Sequence, residues 1–312
     1  MKLRRSLAFC QAINPEGVKK LIGGNVDCLV FDLEDGVVVT KKEENRKKTL
    51  EILKNWDCRG KERIVRINGP GTPFYERDME EVIRPGLPDA VRLPKCESVE
   101  YVKRVSDDLD KIERETGTPH NTIEIILMIE TAKGIMNTYS LCTCSERVTA
   151  VGIGMEDLTA SMGILRRYDL NCMDLLYARQ KMILEGKAAK VQVIDSGILF
   201  HATQQYIYED SVNGRYMGFD GRSCSTRYPD LIDAVNRAFT PLESEVEWAE
   251  KVKRAYETAV EQGESDVYVD GKFIDPPVVE KAKNILNLME QILARQQGDW
   301  KGDENGASSW YL

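Results

Sequence analysis

Three carboxylates close an apolar run in this chain: Leu29-Val30-Phe31-Asp32-Leu33-Glu34-Asp35. Further on, Ile64-Val65-Arg66-Ile67-Asn68 ends in a guanidinium and an amide. Ile125-Ile126-Leu127-Met128-Ile129-Glu130 ends in a carboxylate, and Val151-Gly152-Ile153-Gly154-Met155-Glu156-Asp157 in two more. Continuous Val/Ile/Leu runs read as strands covered on both faces, as in a parallel sheet. A charge at the carboxyl end of such a strand is costly to bury and packs poorly. That end is nevertheless where parallel α/β folds gather their active-site groups. Glu130 and Asp157, on successive strands, come within several ångströms if the sheet closes. Either one alone reads equally well as a helix cap or an ion-pair partner. Together they offer oxygen donors to a hard divalent cation such as Mg²⁺.

Arg66 supplies a planar fork of N–H donors suited to a carboxylate or a developing enolate oxygen. It could instead pair with Asp32 or Glu34, and both roles are compatible, since a paired carboxylate also orients the arginine. Side chains alternate along a strand, so Asp32 and Glu34 share a face while Asp35 belongs to the loop. One of these acids is expected to hold metal-bound water or to buttress Arg66. The loop Gly69-Pro70-Gly71-Thr72-Pro73 reads as a substrate wall or as a plain turn. Gly152-Ile153-Gly154 lets the backbone pass close to a ligand or a neighbouring strand.

Eight strands can position these groups: Ser6–Phe9, Cys28–Leu33, Arg63–Ile67, Ala90–Pro94, Ile123–Ile129, Val148–Ile153, Val191–Ile194 and Arg222–Ser225. Helical patterns alternate with them at Pro15–Ile22, Lys41–Trp56, Ser98–Thr116 and Leu175–Ala189. Asn14-Pro15 starts a helix with a capping side chain and a proline at the first position, and Gly23-Gly24 ends it. The alternation predicts a (β/α)₈ TIM barrel over residues 1–240. Residues 241–297 form a C-terminal helical lid extension, with helices over Glu243–Gln262 and Pro276–Gln296. Between those helices Asp266–Asp275 reads as a hairpin turning at Asp270-Gly271. Residues 298–312 read as a mobile tail.

Composition narrows the function. The 312 residues are 42% hydrophobic and carry a formal charge of −8, which supports a large core. That charge also argues against nucleic-acid or anionic-membrane binding, since both need a basic face. No apolar run reaches the length of a membrane span, and the short N-terminal apolar stretch reads as the first strand, not a signal sequence. Eight scattered cysteines without a Cys-x-x-Cys pair suit reduced thiols in the cytoplasm. The two histidines, His120 and His201, stand beside no plausible partner motif. Acid–base and metal chemistry therefore falls to carboxylates.

The ordered set of motifs resembles the citrate lyase β-subunit, malyl-CoA and citramalyl-CoA lyase family of the HpcH/HpaI aldolase group. The resemblance runs through Arg4-Arg5-Ser6-Leu7-Ala8-Phe9, Phe31-Asp32-Leu33-Glu34-Asp35-Gly36-Val37, Val65-Arg66-Ile67-Asn68 and Arg92-Leu93-Pro94-Lys95. It continues with Ile129-Glu130-Thr131-Ala132-Lys133-Gly134, Gly154-Met155-Glu156-Asp157-Leu158, Gly218-Phe219-Asp220-Gly221 and Asn236-Arg237-Ala238-Phe239-Thr240-Pro241. Asp270-Gly271-Lys272-Phe273-Ile274-Asp275 completes it, and nearly the whole chain to about Arg295 is covered. The resemblance implies Glu130 and Asp157 as ligands of Mg²⁺, with Mn²⁺ as the alternative ion. It implies Arg66 as catalytic and substrate-binding, with Glu34 and Asp35 lining the substrate. Asp275 becomes a catalytic aspartate delivered by the lid to a neighbouring subunit of a trimer or hexamer. The implied reaction is cleavage of a 3-hydroxyacyl CoA thioester to an acetyl thioester and an α-keto acid. Its base is Asp275 or a metal-bound water. Two other readings stand beside it: a thioester hydrolase on the same scaffold, and a subunit that needs an acyl carrier protein or other lyase subunits. The chain departs from the family at Cys10-Gln11-Ala12, Ser196-Gly197-Ile198-Leu199 and Ser225-Thr226-Arg227-Tyr228. Those loops are expected near the thioester and nucleotide, so acyl group and carrier stay open.

Overall fold

The computed structural model describes residues 2–168, 172–197, 202–225, 228–263 and 266–296. The expected tail at 298–312 lies outside them, as do His201, Thr226 and Arg227. The described residues divide into two compact units, Arg4–Phe239 and a second made of Lys2, Leu3 and the stretch from Thr240 to Gln296.

The first unit is a closed barrel of parallel strands in sequence order. Its strands are β1 (Ser6–Cys10), β2 (Cys28–Asp32), β3 (Glu62–Arg66), β4 (Ala90–Leu93), β5 (Glu124–Ile129), β6 (Val148–Ile153), β7 (Gln192–Asp195) and β8 (Gly221–Ser225). β8 closes on β1 through Ser6↔Arg222 and Phe9↔Ser225. All eight strands stand where the apolar runs placed them, give or take a terminal residue. Helices over Pro15–Gly23, Lys42–Asn55, Val99–Thr116 and Leu176–Ala188 cover the outside. The Asn14 side chain accepts the Gly17 N–H at 3.1 Å, which is the cap read from Asn14-Pro15.

Period-two alternation divides the strand residues between two cores. Outward positions such as Ala8, Leu29, Val65 and Val91 pack under the helices. Leu7, Val30, Ile64, Ala90, Ile126, Ala150 and Ile194 point inward and fill the barrel with Phe9 against them. Arg4 closes the amino end: its Nε and Nη2 fork Glu62 at 2.8 and 2.6 Å, and its Nη1 reaches Thr149 at 3.0 Å. Charges at that end serve stability, whereas chemistry belongs to the opposite end.

The second unit contains helices Glu243–Gln262 and Pro276–Gln296 joined through a two-stranded hairpin, β9 (Tyr268–Val269) and β10 (Lys272–Phe273). Asp270 and Gly271 turn it with φ of 49° and 75°, the left-handed pair that a tight hairpin demands. No described helix is long and apolar enough to cross a membrane.

Candidate active site at the carboxyl end of the barrel

Asp32 and Arg66 are the last residues of β2 and β3 and are paired in register. Arg66 Nε donates to Asp32 Oδ1 at 2.7 Å and Nη2 to Oδ2 at 2.6 Å. Its Nη1 lies 3.1 Å from Glu34 Oε2. Burial works against this charge, yet the bonds to Asp32 and the nearby carboxylates of Glu34 and Glu130 hold Arg66 above its ordinary pKa. A bidentate pair of this kind fixes the plane of the guanidinium. The ion pair read from the sequence is therefore formed, and the arginine it orients keeps N–H groups on both Nη atoms.

The acidic loop is fastened from outside the barrel. Lys42 Nζ donates to the carbonyls of Leu33 and Glu34 at 2.6 and 2.8 Å, and Asn45 Nδ2 to the Asp32 carbonyl at 2.7 Å. Asn68 turns away from the mouth to meet Asp78 and Lys42, so it supports the loop and does not face the site. The Gly69–Pro73 segment is a turn, with Thr72 N–H donating to the Gly69 carbonyl at 3.2 Å.

Glu130 follows β5 directly and is almost wholly buried. Its Oε1 accepts the Lys95 backbone N–H at 2.7 Å. Asp157 sits in the first turn of the helix Met155–Ser161, beyond the end of β6, where it is exposed. Its carboxyl reaches hydrogen-bonding contact with Glu130. Burial, then that contact and its charge, push the Glu130 carboxyl well above the usual carboxylate range. Two acids in such contact are a donor set short of a positive charge. A Cβ on Gly154 would stand 2.6 Å from Glu130 Oε2. The glycine thus makes room for the carboxylate itself, where a ligand or a neighbouring strand was expected.

No group of three or more His, Cys, Asp or Glu suited to a metal occurs among the described residues. The pair Glu130 and Asp157 still fits Mg²⁺, which binds through one or two carboxylates and completes its shell with water and substrate oxygens.

Two further cations stand at the site, Lys95 and Arg92, to which the sequence analysis assigns no role. Lys95 Nζ bridges Glu34 Oε1 at 2.9 Å and Asp35 Oδ2 at 2.7 Å. Partial burial opposes the charge, but those two bonds raise the Lys95 pKa above its ordinary value. Asp35 is exposed, as a loop residue should be, and Glu34 is buried. Arg92 lies inside the barrel, where its guanidinium and that of Arg66 each stand 4.8 Å from the centre of the Phe9 ring. Burial, then the Arg66 charge, lower its pKa to about 10, which leaves it charged at neutral pH. The signal for Arg92 was present: a cation at an inward position of an otherwise apolar strand.

Asp275 belongs to the second unit, where its Oδ1 accepts the Val278 N–H at 3.1 Å and caps the helix Pro276–Gln296. Of the two histidines, His120 is exposed and pairs with Asp110 away from these groups.

Residues 5–226 match the family described as HpcH/HpaI aldolase/citrate lyase. The chain is 31% identical over 287 residues to citrate lyase subunit beta of Leuconostoc mesenteroides subsp. cremoris, covering 92% of this chain and 93% of that protein. It is 31% identical over 300 residues to the mitochondrial citramalyl-CoA lyase of Rattus norvegicus, covering 93% and 87%. A crystal structure of the CitE protein of Mycobacterium tuberculosis with magnesium, acetoacetate and coenzyme A superposes with a TM-score of 0.72. It is 25% identical and the match covers 92% of this chain and 98% of that one. On the barrel, the acid pair and these likenesses together, the chain belongs to the HpcH/HpaI aldolase/citrate lyase family and is an enzyme of the carbon–carbon lyase class.

Proposed function

We propose that the chain cleaves a 3-hydroxyacyl CoA thioester of citryl, malyl or citramalyl type to an acetyl thioester and an α-keto acid, with Mg²⁺ held by Glu130 and Asp157. The observation that carries this reading is the contact of those two carboxyls at the barrel mouth, beside an arginine already locked by Asp32. The magnesium in the related crystal structure supports the same choice of ion.

When bound, the cation supplies a Lewis acid that polarises the substrate hydroxyl oxygen. The chain's own groups do the rest. A base removes the hydroxyl proton, the C–C bond breaks, and its electron pair moves onto the acetyl thioester as an enolate. Arg66 faces that developing oxyanion with donors that need no reorganisation, because Asp32 has fixed their plane. Protonation of the enolate carbon then releases the acetyl thioester. Asp275, delivered from the lid of a neighbouring subunit, is proposed as the base, with a metal-bound water as the alternative; capping the helix engages its Oδ1 and leaves Oδ2 without a protein donor among the described residues. Glu34 and Asp35, tied to Lys95, line the substrate side.

Self-association as a trimer or hexamer belongs to the same proposal. Met173, Tyr177 and Leu184 are large apolar side chains exposed on one stretch of the barrel's outer surface, and such surface is commonly covered by a partner.

The test is a panel of citryl-, malyl- and citramalyl-CoA with Mg²⁺, following α-keto acid and free CoA separately. Keto acid with acetyl-CoA supports the lyase. Free CoA without keto acid makes the chain a hydrolase. Turnover only with an acyl carrier protein makes it a carrier-dependent subunit.

A further inference from the structure

Buried arginines in this chain come with carboxylates. Arg4 has Glu62 and Glu124, Arg5 has Asp27, Arg46 has Asp78, Arg147 has Asp110 and Glu113, and Arg222 has Asp195 and Asp210. Among the described residues Arg92 is the exception. It is fully buried, its Nη2 donates to Ser223 Oγ at 3.0 Å and lies 2.9 Å from Met128 Sδ, and its Nε and Nη1 donate to no protein atom among the described residues. A guanidinium keeps its proton at neutral pH, and a buried cation without a counter-charge is strongly disfavoured.

The surroundings make room for this charge. A Cβ on Gly152 would stand 3.0 Å from Arg92 Nη2, so a glycine on β6 leaves the guanidinium its place. Met128 separates it from the metal pair. The Met128 Sδ rests on Arg92, while its Cε lies 3.3 Å from the position a Gly154 Cβ would take, a point that is itself 2.6 Å from Glu130 Oε2. An unbranched thioether can change rotamer without moving the backbone, so Met128 is a cover that a ligand can displace.

The other cations at the mouth already carry carboxylates, Arg66 with Asp32 and Glu34 and Lys95 with Glu34 and Asp35, and the N–H groups Arg66 has left are those assigned above to the enolate oxygen. The surrounding acids would repel any further carboxylate on the substrate unless a free cation met it. Resting on the lyase reading above, we infer that Arg92, with Ser223, seats a second carboxylate on the keto-acid half of the substrate. The site then selects an acyl group that leaves as an oxo-dicarboxylate over one that leaves as an oxo-monocarboxylate. Arg92 forms and breaks no bond; it supplies charge-assisted hydrogen bonds to a planar anion.

Calorimetric binding of oxaloacetate and of pyruvate to the full-length protein in Mg²⁺ tests this, with Mg²⁺ affinity measured separately. The wild type should bind oxaloacetate about tenfold more tightly than pyruvate, the range a charged hydrogen bond confers. Arg92→Met should bring the two within about twofold, leaving pyruvate and Mg²⁺ affinities and the melting temperature at or above wild type. Gly152→Ala, which crowds the guanidinium, should narrow the gap in the same direction and decides the matter if Arg92→Met does not fold. A wild-type ratio retained in both variants, or no preference in the wild type while Mg²⁺ and pyruvate bind, overturns the inference and leaves the lyase reading standing. A wild type that binds neither Mg²⁺ nor either keto acid removes both.

Discussion

The Lys95 backbone N–H donates to Glu130 Oε1 at 2.7 Å, so the loop after β4 sets the rotamer of the acid that follows β5. The same residue sends its ammonium to Glu34 and Asp35 beyond β2. It does so from a left-handed backbone, φ 52°, a conformation that costs a residue with a Cβ about 1–2 kcal/mol. Lys95→Gly should therefore be more stable than Lys95→Ala by about 1 kcal/mol in urea titration, since both lose the ammonium and only glycine loses the strain. The reverse order would show that the backbone there is unstrained.

Asp157→Asn should behave in opposite ways with and without metal. Mg²⁺ affinity by calorimetry and turnover should both fall by about tenfold or more, on the order of a lost metal ligand contact. The metal-free variant should melt at a higher temperature than metal-free wild type, because the amide no longer repels Glu130. A lower melting temperature would mean the two acids are not pressed together.

Arg66→Lys keeps a charge but loses the fork that grips Asp32 at 2.7 and 2.6 Å. A fall in kcat of about 10²–10³ is expected, the usual cost of an oxyanion donor, with circular dichroism unchanged. Near-native kcat would assign Arg66 to structure alone.

Asp275 separates capping from chemistry through two substitutions. Asn caps a helix about as well as Asp, whereas Ala costs about 1 kcal/mol. Asp275→Asn should keep the wild-type melting temperature and lose turnover if the carboxylate is the base. Retained turnover in Asp275→Asn would leave only the cap.

Asp195 lies fully buried between Arg179 and Arg222, at 2.7 and 3.1 Å. Burial raises its pKa, but the two arginines outweigh it and the folded-state value is lowered. Its contribution is thus present above the unfolded value of about 3.9 and is lost as pH falls through the lower folded one. Asp195→Asn should be less stable than wild type at neutral pH, with the gap narrowing below about pH 4. A gap independent of pH would mean the pair is not stabilised by ionisation.

The barrel was legible because its signal is local. Eight apolar runs bounded by turns and helices define strands whatever their neighbours are, and a parallel sheet covered on both faces needs just such runs. Asp32, Arg66 and Glu130 were legible for a related reason: a strand that ends in charge presents it at one rim of a parallel barrel. Tertiary structure alone decided what those charges touch. Asp157 came to Glu130 from a helical turn, Asn68 turned outward to Asp78, and Lys95 joined two loops through a backbone conformation that no residue type announces. Pairing across the barrel depends on stagger and closure, which are properties of all eight strands at once, so no stretch of sequence carries them. Arg92 shows the boundary most plainly: the chain itself places a cation on an inward face, and only the packed interior leaves its Nε and Nη1 without a partner among the described residues.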